Sequence, residues 1–127
     1  MKKIGFISTN KVLAQSLAAL IMEHPDLEFE IYLLLNLNQA VLDADIMGVD
    51  VAVVEIVDGT LKEAEAILRI CAGLRQTLPG CRVLLLMPPG KTEGSDMMMK
   101  AVRTKSVDDY VFCNESLDYL IAKMLYL

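Results

Sequence analysis

The sequence predicts an α/β fold in which helices cover both faces of a five-stranded parallel sheet. Over 127 residues, short apolar runs alternate five times with segments whose apolar residues recur at helical spacing. Several of these runs are continuously apolar, which is typical of strands buried on both faces. Strands joined by helical crossovers must be parallel. A doubly wound three-layer sandwich follows, and the length predicts a single domain spanning residues 1–127.

The first strand is predicted at Ile4–Ile7. Thr9 or Asn10 can cap the following helix by accepting a hydrogen bond from a free backbone N–H. Pro25 is expected to end this helix, because proline disfavours helical backbone in the residue before it. The apolar residues that indicate the helix are Val12, Leu13, Leu17, Leu20 and Ile21.

The second strand is predicted at Glu28–Leu35 and the third at Val51–Val57, which is rich in β-branched residues. Between them, Asn38 is expected to cap a shorter helix that stops near Gly48. The apolar residues assigned to this helix are Ala40, Val41 and Ile46.

The third helix is predicted to open at Thr60–Glu63, a capping-box pattern. Its apolar face is expected to contain Ala64, Ile67, Leu68, Cys71, Leu74 and Leu78. The fourth strand is predicted at Val83–Met87, with Ser95 capping the helix after it. Asp109–Phe112 and Ser116–Leu127 supply the fifth strand and helix.

Composition argues against several classes of protein. No apolar run approaches the roughly 20 residues needed to cross a bilayer, and the N-terminus lacks a signal-peptide pattern. We therefore expect a cytoplasmic protein without membrane insertion. The net charge of −5 disfavours nucleic-acid binding. The three cysteines form no C-x-x-C pair, so buried thiols are expected rather than a zinc site or disulfide framework.

Three segments resemble response-regulator receiver domains, the flavodoxin-like signalling modules of two-component systems. Met1–Asn10 has the pattern of a receiver's first strand, and Val49–Ile56 resembles the strand that ends in the phosphoacceptor. Val107–Phe112 with Ser116–Asp118 resembles the fifth strand and final helix. The resemblance spans essentially the whole chain and implies the receiver fold.

The residues that receivers use for chemistry are replaced. Neutral side chains stand where the family places its metal-binding acids, and Glu55 stands at the acceptor position. Met87 replaces the hydroxyl residue of the fourth strand, and Cys113 replaces the lysine of the fifth. We therefore expect no bound metal, no catalytic residue and no cofactor. The expected degenerate phosphoacceptor pocket comprises Ser8, Thr9, Asn10, Glu55, Met87 and Cys113.

Two residues of this region admit more than one interpretation. Glu55 either accepts hydrogen bonds from Ser8 or Thr9, which would fix one conformation, or is a remnant carboxylate in a partly wet pocket. Tyr110 matches the aromatic residue that swings in receivers, but it also fits a half-buried strand tyrosine.

Apolar residues on the last two helices indicate an interaction face beside the fifth strand. Three consecutive methionines cannot all point inward, since successive helical residues differ by about 100°, so at least one should be exposed. The expected face comprises Met97, Met98, Met99, Tyr119, Ala122 and Tyr126. Receivers dimerise through this face, so the resemblance implies a homodimer or a protein partner.

The pattern as a whole resembles pseudo-receivers, such as the N-terminal domain of tight-adherence pilus localisation ATPases. It implies a non-catalytic signalling or localisation module, in some cases joined to an ATPase or output domain in a longer protein. One alternative is a divergent receiver that accepts phosphate on Glu55 or Asp58. A second is a small flavodoxin-like or phosphotransfer protein.

Overall fold

A computed structural model describes residues 1–24 and 28–127. The strands and helices alternate as predicted, with one short 3-10 helix at Leu37–Gln39 before the second α-helix. The strands are β1 (Lys2–Ile7), β2 (Phe29–Leu34), β3 (Val51–Glu55), β4 (Arg82–Met87) and β5 (Asp109–Phe112). The helices are α1 (Lys11–Met22), α2 (Ala40–Met47), α3 (Leu61–Thr77), α4 (Ser95–Arg103) and α5 (Leu117–Tyr126).

The strands form one parallel sheet in the order β2-β1-β3-β4-β5, which confirms the predicted doubly wound α/β fold. Ile7 is level with Val54, Glu55 with Leu86, and Met87 with Phe112. The carboxyl ends of the four strands β1, β3, β4 and β5 therefore meet at one edge, where ligand sites of such sheets are found.

Each face of the sheet has its own apolar core. Alternate strand residues point to opposite faces, and both sets are buried, which is why the strands read as continuous apolar runs. On the face covered by α1 and α5, the core includes Phe6, Val53, Leu84, Ile21 and Met124. On the face covered by α2, α3 and α4, it includes Ile7, Val54, Leu85, Ile67 and Met98.

Two of the predicted side-chain caps, those of Asn10 and Thr60, are present, and Ser116, predicted only as the first residue of the last helix, is a cap as well. Asn10 Oδ1 accepts from the Leu13 N–H at 3.0 Å, and Thr60 and Ser116 cap α3 and α5 in the same way. Gly48 ends α2 in the left-handed conformation that glycine adopts readily. The prediction that Pro25 ends α1 lies outside the described residues.

Other local predictions are wrong. Asn36, not Asn38, supplies the cap after β2, because a 3-10 turn precedes α2. Ser95 is the first residue of α4 rather than its cap, since its hydroxyl turns back to accept from the Thr92 N–H at 2.6 Å. Ile46 lies in α2 as predicted, but its side chain is 70% exposed. β3 ends at Glu55 rather than Val57, because the Val57 N–H donates to a carboxylate outside the sheet.

Lys2 joins the beginning of β1 to the end of α5. Its Nζ donates to the carbonyl oxygens of Met124 and Leu125, both at 3.0 Å, and of Leu127 at 3.3 Å. Helix carbonyls at this end lack intrahelical partners, so the lysine satisfies them and complements the helix dipole.

None of the helices in the described residues is long and apolar enough to cross a membrane.

Candidate functional site

The candidate site is built around the ends of β1 and β3. Ser8 follows β1, Glu55 is the last residue of β3, and both side chains are buried, with exposed fractions of 3% and 7%. Ser8 Oγ donates a hydrogen bond to Glu55 Oε1 and accepts one from the Asn10 N–H at 2.9 Å. Of the two donors considered for Glu55, the structure therefore uses Ser8.

The surroundings of Glu55 raise the pKa of its carboxyl group. Burial is the main cause, because it removes water from the charged form. The Ser8 hydrogen bond acts in the opposite direction, and the negative charge of Glu63 adds to the rise. Glu55 therefore takes up a proton more readily than an exposed glutamate does.

Thr9 and Asn10 do not complete a carboxylate cluster. Both are exposed, and Asn10 uses its side-chain oxygen to cap α1. Mg²⁺ in phosphoryl-transfer sites is usually held by carboxylates together with water and phosphate oxygens. A single carboxylate hydrogen-bonded to a serine fits such an ion poorly. Across residues 1–24 and 28–127, no three His, Cys, Asp or Glu side chains converge in a way that could hold a metal ion.

The remaining two predicted pocket residues belong to β4 and the segment after β5. Met87 is buried in the core beneath α2, α3 and α4. Cys113 is exposed, and its N–H donates to the Met87 carbonyl at 2.8 Å. The expectation of a buried thiol is therefore wrong for Cys113 but correct for Cys71 and Cys81.

The predicted capping box at Thr60–Glu63 is half formed: the Glu63 N–H donates to Thr60 Oγ1 at 3.2 Å, but the Glu63 carboxylate binds the loop before α3. This carboxylate accepts hydrogen bonds from three successive N–H groups, those of Val57 at 2.9 Å, Asp58 at 3.0 Å and Gly59 at 2.8 Å. Gly59 has a φ of 71°, which lets the loop curl around the carboxylate. The capping-box pattern therefore identified Glu63 as a residue that forms hydrogen bonds, but it did not predict that Glu63 binds the loop of residues 57–59.

The loop after β3 is also tied to the loop after β4. The Leu61 N–H donates to Glu93 Oε1 at 2.7 Å, and the Gly94 N–H donates to the Gly59 carbonyl at 2.8 Å. A Cβ atom on Gly94 would lie 2.9 Å from the Thr60 carbonyl oxygen and 3.1 Å from that of Gly59, so the loops are in close contact. We call these two connected segments, residues 57–61 and 92–95, the loop clasp.

Tyr110 lies half-buried in β5 with its ring edge against the Phe112 ring, centroids 5.5 Å apart. It packs against the core beneath α4. This position is compatible with both interpretations of the residue, and its role as a switch-like aromatic stays a prediction.

The three methionines do not form one surface. Met98 is buried, while Met97 and Met99 are half-buried, so the expectation that at least one is exposed is wrong. The flexible thioether chains of the two flanking residues fold down onto the core. Met97 lines a groove between α3 and α4, whereas Met99 lines a separate recess with Met87 and Phe112.

The aromatic residues of α5 do lie together. Tyr119, Ala122 and Tyr126 line a shallow recess of about 300 Å³ beside β5, and Tyr126 is 88% exposed. Lys123 crosses this recess, with Nζ 2.6 Å from Asp109 Oδ2 and 5.3 Å from the centre of the Tyr119 ring. Of the six residues predicted to form an interaction face, the three of α5 therefore share one recess, and their role in binding stays a prediction.

Comparison with known proteins identifies the fold. The chain is 18% identical to a pilus assembly protein, CpaE, from Burkholderia thailandensis, with a TM-score of 0.74 over 100% of both chains. A receiver domain protein from Clostridium thermocellum is 13% identical, with a TM-score of 0.75 over 98% of this chain and 92% of that one. The response regulator TrrA from Thermotoga maritima, in complex with Mg²⁺-BeF, is 19% identical, with a TM-score of 0.71 over 98% and 97%.

No protein-family profile matches the chain, and no curated protein matches its sequence. At these identities the structural neighbours establish the fold and not the chemistry. The predicted resemblance is confirmed at that level: this is a receiver-like α/β domain, sharing its fold with response regulators and with CpaE.

Proposed function

We propose that residues 1–127 form a single degenerate receiver domain that acts in the cytoplasm as a non-catalytic signalling or localisation module. It binds another protein or a second copy of itself and carries out no metal-dependent phosphoryl transfer. The observation that carries this proposal is the hydrogen bond from Ser8 to Glu55, which occupies the carboxylate at the acceptor position.

Phosphorylation of a carboxylate brings negative groups together, and a divalent cation normally offsets their charge. Here the neighbouring positions carry hydroxyl and amide groups that already take part in hydrogen bonds. Because the pKa of Glu55 is raised, its protonated and poorly nucleophilic form persists to higher pH than in an exposed glutamate. These features favour a structural role for the carboxylate.

The loop clasp supports a domain held in one conformation. The Glu93 and Gly94 contacts tie the loop before α4 to the loop before α3. Any signal transmitted by movement of one loop would have to break hydrogen bonds to the other. A fixed shape suits a module that is recognised by its surface.

The α5 recess is the surface that we assign to self-association. Tyr119 and Tyr126 offer exposed aromatic area, which is enriched in protein interfaces. The structural likeness to CpaE, a pilus assembly protein, supports a role in the assembly or localisation of other proteins. On the resemblance to pseudo-receivers, we also propose that such a domain is joined to an ATPase or output domain in a longer protein.

Intact mass after incubation with acetyl phosphate and magnesium tests the chemical part of the proposal. We expect no phosphoryl adduct, while a phosphorylatable receiver treated in parallel gains one. An adduct that disappears in Glu55→Gln or Asp58→Asn would establish a divergent phosphoacceptor instead.

Sedimentation velocity over a range of concentrations tests self-association. We expect a dimer whose dissociation constant rises about tenfold in Tyr126→Ser, because an exposed aromatic is lost from the contact. Ile46→Ser is the matched control, since Ile46 is an exposed apolar residue on the distant α2. A strict monomer, or equal weakening in both variants, would contradict the assignment to α5.

A further inference from the structure

A groove of about 590 Å³ lies between α3 and α4, separate from the α5 recess. Leu68 and Ala72 from α3 and Met97 and Ala101 from α4 give it an apolar floor. Two adjacent helices whose side chains leave such a channel provide the kind of surface on which an amphipathic helix of another protein packs.

The groove is basic although the protein is acidic. Its rim contains Arg75 and Lys100, and none of the described residues that line it is acidic. The segment 97–107 carries Lys100, Arg103 and Lys105 and no carboxylate, whereas the whole chain has a net charge of −5. Cations near the end of α4 complement its helix dipole, but that effect does not account for the apolar floor beside them.

The two rim cations differ in how firmly they are held. Arg75 is fixed by an ion pair with Asp108 at 3.1 Å and by a hydrogen bond to the Ser106 carbonyl at 3.2 Å. Lys100 is exposed, and among the described residues it belongs to none of the ion pairs. One rim position is therefore built into the fold, and the other is available to an incoming carboxylate.

We propose that this groove binds an acidic amphipathic helix of a partner protein. Apolar side chains of the helix contact Leu68, Ala72 and Met97, and a carboxylate of the helix pairs with Lys100, since the charge of Arg75 is already offset by Asp108. The site goes beyond the proposed function, because it requires neither self-association through α5 nor any particular state of Glu55.

Selection from a displayed library of helical peptides, with varied apolar and charged positions, tests the proposal without assuming a partner. We expect the enriched peptides to be amphipathic and net negative, and to bind more weakly as salt increases. Ala72→Phe should abolish their binding, because Ala72 is exposed on the groove floor and a phenylalanine there fills the channel. Ala19→Phe, at an exposed alanine of α1, should leave binding unchanged.

Charge reversal provides a second pair of variants. Lys100→Glu should weaken peptide binding by about fivefold or more, because it places a like charge opposite the carboxylates. Lys62→Glu makes the same change at an exposed position at the start of α3 and should have no effect. Tyr126→Ser should also bind the peptides normally, which separates this site from the α5 face.

Four results would overturn the proposal. They are the absence of enriched peptides, enrichment of neutral or basic peptides, equal binding to Ala72→Phe, and equal effects of Lys100→Glu and Lys62→Glu. Self-association that is lost in Ala72→Phe would assign the groove to a second copy instead. Sedimentation with phosphatidylglycerol vesicles that depends on both Ala72 and Lys100 would assign it to a membrane surface.

Discussion

Ser8 donates its hydroxyl hydrogen to Glu55 Oε1 and thereby joins the end of β1 to the end of β3. Both side chains are buried, so the carboxylate depends on this donor for much of the solvation that water would otherwise give. The contribution of each residue to the free energy of unfolding therefore depends on the other residue, and the size of this dependence should change with pH.

Ser8→Ala should lower the free energy of unfolding by about 1–3 kcal/mol at neutral pH, because it leaves a buried carboxylate without its side-chain donor. The loss should be smaller at about pH 4, where Glu55 is protonated. Ser16→Ala, at an exposed serine of α1, is the control. Equal losses at both pH values in urea denaturation would contradict the coupling.

Glu55→Gln should remove a pH-dependent contribution to stability. Because the folded-state pKa of Glu55 is raised, its contribution is fully present below the unfolded-state pKa and is lost as pH rises through the folded-state value. The variant should therefore gain stability relative to the wild type as the pH rises from about 4, near the unfolded-state pKa of a glutamate, toward neutral. If chemical denaturation gave the same stability difference between variant and wild type at every pH in this range, Glu55 would be a remnant carboxylate without a pH-dependent contribution.

Gly94→Ala should destabilise the loop clasp by about 1–3 kcal/mol, since the new Cβ would lie 2.9 Å from the Thr60 carbonyl oxygen and 2.7 Å from Ala64 Cβ. Gly80→Ala is the control, because a Cβ there meets nothing within 4 Å. Thermal unfolding compares the two. Indistinguishable melting temperatures would show that the two loops can move apart at little cost in stability and would contradict the prediction.

Asp108→Asn should lower the free energy of unfolding by about 1–3 kcal/mol. The Asp108 carboxylate accepts from the Val83 N–H at 2.7 Å and pairs with Arg75 at 3.1 Å, so it links β4 to α3. Asp45→Asn, at an exposed aspartate of α2, should have little effect. Chemical denaturation measures both, and a neutral Asp108→Asn would mean that these contacts contribute little.

One of the three thiols should react rapidly with a maleimide in the folded protein. Cys113 is exposed, whereas burial raises the pKa of Cys71 to about 12 and of Cys81 to about 11. Only the thiolate reacts appreciably, so the buried pair should be labelled only after unfolding. Cys113→Ser should abolish the rapid phase, and its persistence would contradict the prediction.

The fold could be predicted from the sequence because its buried strands appear as continuous apolar runs. Strands such as Val83–Met87 are buried on both faces and contain apolar residues without interruption. The cap at Asn36 was harder to predict, since the choice between Asn36 and Asn38 depends on a 3-10 turn that leaves no clear periodicity. The exposure of Ile46 depends on the rotation of a short helix whose inner positions are alanines.

The candidate site was predictable in part for a similar reason. Parallel strands bring their carboxyl ends to one edge, so a contact between Ser8 and Glu55 could be anticipated from position alone. The contacts of Glu63 could not, because they depend on the left-handed turn at Gly59. The separation of Met97 from Met99 likewise requires the rotation of α4 against its neighbours.

The contacts of Lys2 bring the first and last residues of the domain close together. Its amine touches the carbonyl of Leu127, so residues 1 and 127 lie within reach of a short peptide linker. A circularly permuted protein, joined there and opened at the exposed turn of Pro79 and Gly80, would retain every strand pairing of the sheet.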